Sequence, residues 1–343
     1  MRPESEADLA RIICDAKDPL WITGGGTRAL PGEGGVPLDM RGISGITLYE
    51  PEALTLIARA GTPLAEIEAV LADEGQMLGF EPDPRTGSTI GGVAASNASG
   101  PRRLSAGACR DAMLGVRFVT GAGEIVKNGG RVMKNVTGYD LVKLMAGSRG
   151  QLGALTEIAL KTMPIPPARA TLRLDGRDDA HAMAAIFTAL AGPYDVTGAG
   201  RLPDGRVILR LEGLPGSVEL RAAALTRALA DHGPEVVEGD ADFRALRDIA
   251  AGGTGPLWRI VLRPSQAAGV LARLPGRHAL DWGGALIWAE APPGWRPDLP
   301  DGARAICVRG EAASLHEPDP VTARLTAGIR AKFDPRRLFG GRS

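Results

Sequence analysis

The amino-acid sequence predicts an α+β protein with two domains. The chain has 343 residues, and compact domains contain about 150 residues each. Short apolar segments typical of strands alternate with amphipathic helical segments along the whole length. Prolines at positions 164, 166 and 167 interrupt both helices and strand ladders. We therefore place a domain boundary at residue 167.

Composition and charge exclude several classes of protein. Lys plus Arg and Asp plus Glu are both 40, so the net charge is zero, unlike the basic surface of a nucleic-acid-binding protein. The sequence has no run of about 18 apolar residues that could span a membrane, and its acidic N-terminus does not resemble a signal peptide. The three cysteines are odd in number and far apart, which favours a reducing cytoplasm and excludes an iron–sulfur cluster held by this chain alone.

The elements of the first domain follow from apolar spacing and from residues that begin or end helices. Thr62 is a suitable N-cap, Pro63 a suitable first helical residue and Gly75 a suitable stop. A Gly-Ala-Gly turn at 121–123 predicts a hairpin. The predicted elements are helices at 4–16, 62–75 and 141–146, and strands at 19–23, 43–49, 53–59, 112–120, 124–126 and 155–160.

The pattern changes beyond the proline cluster. Helical spacing places Met183, Ile186, Phe187 and Leu190 on one face. The predicted elements are strands at 172–174, 206–211, 257–262 and 285–290, and helices around 183–190, at 217–232 and at 320–332. These elements predict an α+β second domain and a C-terminal helix that returns to the first domain.

Residues 24–29 formally match the dinucleotide-binding spacing G-x-G-x-x-G/A after a strand. That motif requires a helix to begin at once, so that its N-terminus faces a diphosphate. Pro31, Gly32 and Pro37 prevent a helix here. No G-K-[ST] follows any glycine cluster either, so both the Rossmann and the P-loop interpretations fail.

Two glycine-rich stretches remain to be explained, residues 24–27 and 91–97. We interpret both as non-helical loops whose successive backbone amides form a concave anion site. The second lies within STIGGVAASNASG (88–100), where small side chains let a flat ring approach the backbone. The alternative for each loop alone is a glycine-rich surface turn.

These stretches belong to an ordered set of motifs that resembles a known family. Segments 23–27, 60–84, 88–92, 111–115, 134–161 and 333–335 are similar to the FAD domain of the vanillyl-alcohol-oxidase type, also called the PCMH-type FAD-binding domain. Segments 99–118, 129–140, 257–260 and 282–288 extend the resemblance to the FAD-binding subunits of bacterial glycolate oxidases.

The resemblance implies a domain organisation. Residues 1–167 would form a PCMH-type FAD-binding domain made of two subdomains. Residues 168–319 would form a smaller α+β cap domain, and residues 320–343 a C-terminal helix and tail that return to the FAD domain.

The resemblance also implies cofactor-binding residues. The FAD diphosphate would be bound by Gly24, Gly25, Gly26 and Thr27, with Thr23 before them. The flavin and ribityl chain would be lined by Gly91, Gly92 and Asn97, with Thr89 before them. The next strand would be held against the cofactor by Asp111, Leu114 and Gly115, and the adenine would lie near Gly153 and Ile158. No histidine occurs in residues 1–167, which excludes a histidyl-flavin link. We therefore expect FAD to be non-covalent, with a cysteinyl link at Cys109 as the alternative.

Oxidation of a 2-hydroxy acid requires a base, a hydride acceptor and a cation for the carboxylate. All four histidines fall in the second domain and are isolated from one another in the sequence, at positions 181, 232, 278 and 316. The sequence has no spaced histidine–carboxylate cluster, so we predict no metal site.

Three residues are weak catalytic candidates: Tyr139, Asp140 and Arg259. Each has a structural alternative. Tyr139 could pack beneath a loop, Asp140 could stabilise a helix N-terminus, and Arg259 could occupy the outer face of a strand. The catalytic residues therefore stay unassigned.

The function implied by the resemblance is that of a FAD-binding subunit in a multi-subunit glycolate (2-hydroxy-acid) oxidase that forms glyoxylate. Its partners would be a larger FAD-binding catalytic subunit and an iron–sulfur subunit. The expected location is the cytoplasm, with attachment to the inner membrane only through partners. The alternatives are a self-sufficient FAD-dependent 2-hydroxy-acid dehydrogenase and a non-catalytic scaffold subunit.

Overall fold

The computed structural model describes residues 1–30, 34–131, 138–250, 252–310 and 319–339. The chain divides into two compact units. Unit 1 consists of Met1–Ser99, Gly107–Pro164 and Glu317–Ser343, and unit 2 consists of Gly100–Ala106 and Ile165–His316. The short segment Gly100–Ala106 therefore belongs to unit 2, although its neighbours in sequence belong to unit 1.

The described residues form helices and strands throughout both units. The helices are α1 Glu6–Asp15, α2 Leu64–Asp73, α3 Ile90–Ser96, α4 Arg103–Ala106, α5 Cys109–Ala112, α6 Leu141–Met145, α7 Asp179–Ala191, α8 Pro215–Ala228, α9 Ala241–Arg247, α10 Ala267–Leu271 and α11 Pro320–Phe333. The strands are β1 Leu20–Thr23, β2 Val36–Asp39, β3 Ile46–Glu50, β4 Thr55–Arg59, β5 Gln76–Met77, β6 Met113–Val119, β7 Ile125–Gly129, β8 Ala154–Lys161, β9 Met163–Pro164, β10 Ala168–Leu174, β11 Val196–Arg201, β12 Val207–Gly213, β13 Glu235–Glu238, β14 Leu257–Val261, β15 His278–Asp281, β16 Leu286–Glu290 and β17 Arg304–Arg309.

Unit 1 contains a five-stranded antiparallel sheet in the order β3-β4-β8-β6-β7. A second, smaller pair is parallel, with Leu20 of β1 opposite Val36 of β2. The turn at 121–123 joins β6 to β7 as a hairpin, as the sequence predicts. Since β4 and β8 are central strands, they carry apolar side chains on both faces, with Leu56 opposite Leu160.

Two apolar clusters stabilise unit 1. The larger one packs α2, α3 and α6 against the five-stranded sheet, and Phe80 and Phe118 are fully buried in it. The smaller one packs Leu9 and Ile13 of α1 against the β1–β2 pair and the C-terminal Leu338 and Phe339. Burial of one large apolar side chain contributes about 1.5–3 kcal/mol of transfer free energy. Both clusters therefore stabilise unit 1.

The C-terminal segment of unit 1 is held by the buried carboxylate of Asp334. Its two oxygens accept the backbone N–H groups of Leu338 at 2.9 Å and of Phe339 at 2.7 Å. The preceding Phe333 packs on Phe118, with ring centroids 5.9 Å apart. These contacts give the Phe-Asp-Pro motif a structural role.

Unit 2 contains an eight-stranded antiparallel sheet in the order β13-β10-β12-β11-β15-β16-β14-β17. Successive residues of β12 face opposite sides, as strand geometry requires. Leu209 packs in the cluster that contains α7 and α8, whereas Ile208 packs with Phe243 and Leu246 of α9. Helices therefore cover both faces of this sheet.

Most predicted elements are confirmed within one to four residues. The first helix is Glu6–Asp15 and the C-terminal helix is Pro320–Phe333. Strand β4 begins at Thr55 rather than at residue 53, because Leu54 adopts a left-handed conformation with φ of 49° and ends a turn there. None of the described helices is long and apolar enough to cross a membrane.

Candidate cofactor-binding site

Unit 1 contains an open cavity between three segments of backbone. The segments are the end of β1 with the turn that follows it, one side of α3, and the turn between α6 and β8. The space, including the part continuous with solvent, is about 720 Å³. The lining residues are Trp21, Ile22, Thr23, Gly24, Gly25, Gly26, Thr27, Arg28, Ala29, Met40, Ala60, Thr89, Gly91, Gly92, Ala95, Ser96, Arg149, Gly150, Gly153 and Leu155.

The first wall is the glycine turn 24–26, which packs directly on residues 87–89. A Cβ added to Gly25 would lie 2.6 Å from the carbonyl carbon of Gly87 and would overlap its oxygen. A Cβ on Gly24 would overlap the Thr89 hydroxyl, and Gly26 has φ of 68°. A side chain at Gly24 or Gly25 would collide, and the positive φ of Gly26 disfavours any other residue. This turn therefore lines the cavity with backbone alone.

The second wall is α3, and here the sequence interpretation is wrong: residues 90–96 form a helix rather than a loop. Thr89 caps its N-terminus, because its hydroxyl accepts the N–H of Gly92 at 3.3 Å. Asn97 ends it in a left-handed conformation with φ of 49°. Both are ordinary helix signals that the high content of glycine and serine obscured.

A close contact with Ala60 explains why α3 has a glycine at position 91, in its first turn. A Cβ there would lie 2.7 Å from the carbonyl oxygen of Ala60, which accepts the N–H of Gly91 at 2.8 Å. By contrast, a Cβ on Gly92 would meet only the Thr89 hydroxyl, at 3.4 Å. Gly91 therefore lets α3 pack against Ala60, which directly follows β4, and Gly92 leaves space in the cavity.

The third wall is the turn around residues 147–153, which is bonded to the C-terminal end of α3. The N–H of Gly147 donates to the carbonyl of Ala94 at 3.0 Å, and that of Arg149 to the carbonyl of Ala95 at 2.8 Å. A Cβ on Gly153 would lie 2.8 Å from the carbonyl oxygen of Val119. The cavity is thus bordered by backbone that adjoining segments hold in place.

The structure brings most of the predicted cofactor-binding residues together at this cavity. Those that line it are Thr23, Gly24, Gly25, Gly26, Thr27, Thr89, Gly91, Gly92 and Gly153. Among the remaining residues, Asn97 accepts the N–H of Arg110 through Oδ1 at 2.9 Å. Asp111 accepts the N–H of Ala108 through Oδ2 at 2.9 Å. Both side chains fix the connection between α3 and α5.

The other three predicted residues lie in the five-stranded sheet. Leu114 and Gly115 are on β6, and a Cβ on Gly115 would lie 2.6 Å from the carbonyl oxygen of Gly130. Ile158 on β8 is fully buried in the large apolar cluster. These three are not among the residues that line the cavity, and their role toward a cofactor stays a prediction.

The weak catalytic candidates lie elsewhere. Tyr139 is 89% exposed. Asp140 caps α6, since its Oδ1 accepts the N–H of Lys143 at 3.0 Å. Arg259 lies over the indole of Trp282 in unit 2, 5.0 Å from the ring centroid. None of the three is a lining residue of the cavity.

The histidines are not all isolated, contrary to the sequence interpretation. The rings of His181 and His232 stack with their centroids 4.0 Å apart. The pKa of His232 is lowered mainly by burial and also by the charge of His181. His278 contacts Asp179 through Nε2 at 2.9 Å. His316 lies outside the described residues. The described residues contain no group of three or more His, Cys, Asp and Glu that could hold a metal.

Two arginines at the cavity were missed by sequence reasoning, Arg28 and Arg149. Arg28 lies two positions after the glycine turn 24–26, and a cation so close to a predicted anion site is a signal in the sequence. Its Nη2 contacts Asp83 Oδ1 and the Asp83 carbonyl oxygen, both at 2.7 Å, and its Nη1 bonds to the hydroxyl of Ser88. Burial lowers the pKa of Arg28, and the negative charge of Asp83 opposes that effect.

Cys109 is the residue considered as an alternative point of covalent attachment. It is fully buried and is not a lining residue of the cavity. Burial raises the pKa of its thiol to about 12, and the thiolate is the reactive form of cysteine. Cys109 is therefore an unreactive core residue at neutral pH.

Comparison with known proteins gives the family of this chain. Residues 1–129 match the family described as FAD binding domain. Over 281 residues the chain is 42% identical to the glycolate oxidase subunit GlcE of Escherichia coli (strain K12), a match that covers 80% of this chain and 77% of that protein. The chain belongs to the GlcE family. It is a FAD-binding protein of an oxidoreductase family, with the PCMH-type fold.

Two further similarities are weaker in sequence. The chain is 35% identical over 179 residues to the glycolate oxidase subunit GlcD of Bacillus subtilis (strain 168), covering 50% of this chain and 38% of that protein. A solved structure of alkyldihydroxyacetonephosphate synthase matches with a TM-score of 0.69 and 15% identity, covering 98% of this chain and 74% of that one. The last similarity shows the fold alone.

The cavity residues fit FAD. The glycine turn 24–26 lines the cavity and has no side chains that could cover its backbone. The charged lining residues are Arg28 and Arg149, and none of the described lining residues is a carboxylate. Bare amides and guanidinium groups bind a diphosphate, while Trp21, Met40 and Leu155 supply apolar surface.

Proposed function

We propose that this chain is the FAD-carrying subunit of a multi-subunit glycolate (2-hydroxy-acid) oxidase. The observation that carries the proposal is a cavity lined by the glycine turn 24–26, α3 and two arginines, in a member of the GlcE family. When bound, FAD supplies a two-electron acceptor for oxidation of a C–H bond next to a hydroxyl group. The chain's own residues bind and orient the cofactor.

The lining of the cavity supports a complex in which this chain binds FAD and another subunit removes the proton of the substrate hydroxyl. A 2-hydroxy acid needs a group that removes its hydroxyl proton. None of the described lining residues is a histidine, carboxylate, lysine or tyrosine, and Asp140 is already engaged as the cap of α6. We infer that the proton-accepting group, and with it the conversion of glycolate to glyoxylate, belongs to a larger FAD-binding partner.

An iron–sulfur partner completes the proposal. The sequence has three cysteines, all of them free, with Cys109 and Cys307 buried and Cys14 exposed. A cluster usually requires four thiolates, so onward electron transfer through such a cluster needs another subunit. We expect the complex to be in the cytoplasm, and we expect this chain to be attached to the inner membrane only through its partner subunits.

Affinity purification of the tagged full-length chain from its native cells tests this proposal. The expected result is a stable complex that contains a second, larger flavoprotein and an iron–sulfur protein by mass spectrometry, with more than one flavin per complex. A chain that carries FAD and purifies without such partners would favour the self-sufficient dehydrogenase. Partners without FAD on this chain would favour a scaffold.

A further inference from the structure

The charge of the cavity is carried by side chains as well as by backbone. Arg28 and Arg149 line the cavity, and none of the described lining residues is acidic. The side chain of Arg28 is 9% exposed. A buried guanidinium is costly unless anions and hydrogen-bond acceptors surround it, so the partners of Arg28 need to be identified.

Arg28 shares one carboxylate with a second arginine. Asp83 contacts Nη2 of Arg28 through Oδ1 at 2.7 Å and Nε of Arg85 through Oδ2. Arg85 also donates to the carbonyl oxygen of Thr27 at 2.6 Å. These three side chains carry two positive charges and one negative charge, so their net charge is +1 by the formal charges of the groups.

Arg28 also retains an unused donor. Its Nε is buried and has no hydrogen-bond partner among the described residues. Buried donors are nearly always paired, and an unpaired one costs about 1–3 kcal/mol. Because Arg28 lines a ligand cavity, an anionic ligand is the natural partner for the excess positive charge.

Arg149 lies in the turn around residues 147–153 and lines the same cavity as Arg28. It adopts a left-handed conformation with φ of 52°, which costs a non-glycine residue about 1–2 kcal/mol. Its backbone N–H is bonded to the Ala95 carbonyl, and its Nη1 donates to the carbonyl oxygen of Arg28 at 3.2 Å. The side chain of Arg149 therefore reaches the backbone of Arg28, two residues after the glycine turn 24–26.

We propose that Arg28 and Arg149 form a cationic subsite for the diphosphate of FAD, next to the amides of the glycine turn. A diphosphate carries about two negative charges, and guanidinium groups form charge-assisted hydrogen bonds with phosphate oxygens. Because of this subsite, a ligand binds in the cavity through its diphosphate group. It recognises nucleoside diphosphates as a class, with or without a flavin ring. This inference rests on FAD binding and is independent of the substrate and partners proposed above.

Titration of the full-length apoprotein with FAD, followed by flavin fluorescence, tests the subsite. We expect Arg28→Gln and Arg149→Gln each to weaken FAD binding by about 10- to 100-fold, the value of a charge-assisted hydrogen bond. ADP, which carries the diphosphate without the flavin, should compete with FAD and should lose affinity in parallel. Arg11→Gln is the matched control, because Arg11 is 69% exposed and pairs with Asp8 on α1; its effect should stay within about twofold.

Salt dependence separates a charge contact from a purely structural role. Between about 0.1 and 1 M salt the wild type should lose FAD affinity steeply, the two glutamine variants less steeply, and Arg28→Lys as steeply as wild type. If Arg28→Gln does not fold, Arg149→Gln decides the question. FAD binding within about threefold of wild type in the folded glutamine variants, or weaker binding with an unchanged salt dependence, would overturn the proposal.

Discussion

Replacing Gly25 with alanine is expected to abolish FAD binding. The added Cβ would lie 2.6 Å from the carbonyl carbon of Gly87 and would overlap its oxygen, and a backbone carbonyl cannot move aside as a flexible side chain can. The glycine turn must therefore separate from residues 87–89, which removes one wall of the cavity. Overpacking of this kind also costs about 1–3 kcal/mol of unfolding free energy. Flavin absorbance of the purified variant measures the loss.

The matched control is Gly34→Ala in the same unit. A Cβ on Gly34 meets no atom of the described residues within 4 Å, so this variant should keep stoichiometric FAD and wild-type stability. Circular dichroism shows whether the Gly25 variant still folds. Full FAD occupancy in a folded Gly25→Ala protein would contradict the close packing of residues 24–26 on residues 87–89.

Replacing Glu212 with glutamine is expected to cause the largest loss of stability. The side chain of Glu212 is 4% exposed and forms two contacts with Arg102, at 2.7 Å and 3.0 Å. Arg169 contacts it at 3.1 Å, and the fully buried Arg210 lies 3.6 Å away. Glutamine keeps the shape but leaves three guanidinium groups without their shared carboxylate. Breaking a buried ion pair costs about 3–5 kcal/mol, which chemical denaturation measures.

The same carboxylate gives the stability a defined dependence on pH. Burial by itself would raise the pKa of Glu212, but the Arg102 hydrogen bond and the charges of Arg210 and Arg102 outweigh it and hold the pKa below the ordinary 4.5. A carboxylate with a lowered folded-state pKa stabilises the protein above its unfolded-state pKa, and that contribution is lost as the pH falls through the folded-state value. The wild type should lose this stability below pH 4.5, and Glu212→Gln should lack that part of the acid sensitivity.

The control for Glu212 is Glu238→Gln, on the exposed edge strand β13 of the same sheet. Its effect on the free energy of unfolding should stay within about 0.5 kcal/mol. A loss below about 1 kcal/mol for Glu212→Gln would mean that the three arginines do not depend on this carboxylate.

The sequence predicts the fold well wherever a local signal agrees with the final packing. Helix α1 shows apolar residues at helical spacing, and its Leu9 and Ile13 are indeed buried. The glycines at 24–26 come after a strand and before prolines, which correctly excludes a helix in the described residues that follow them. Helix α3 was missed because its glycines lower helix propensity, whereas Gly91 meets Ala60, a contact that only the tertiary structure supplies.

The residues missed at the site depend on contacts that are distant in sequence. Arg28 reaches Asp83 across 55 positions, and Arg149 reaches Arg28 across 121. Likewise, His181 and His232 appear isolated in the sequence and yet stack. Spacing rules describe neighbours within one helix or strand, so they carry no information about these pairs.

Anaerobic mixing of glycolate with this chain tests the central claim most directly. The claim is that the chain holds FAD while the proton-accepting group belongs to a partner subunit. The visible flavin spectrum should stay oxidised when glycolate is added to the FAD-loaded isolated chain, and should bleach when glycolate is added to the purified complex. Bleaching of the isolated chain as rapidly as the complex would contradict the claim and would establish a self-sufficient dehydrogenase.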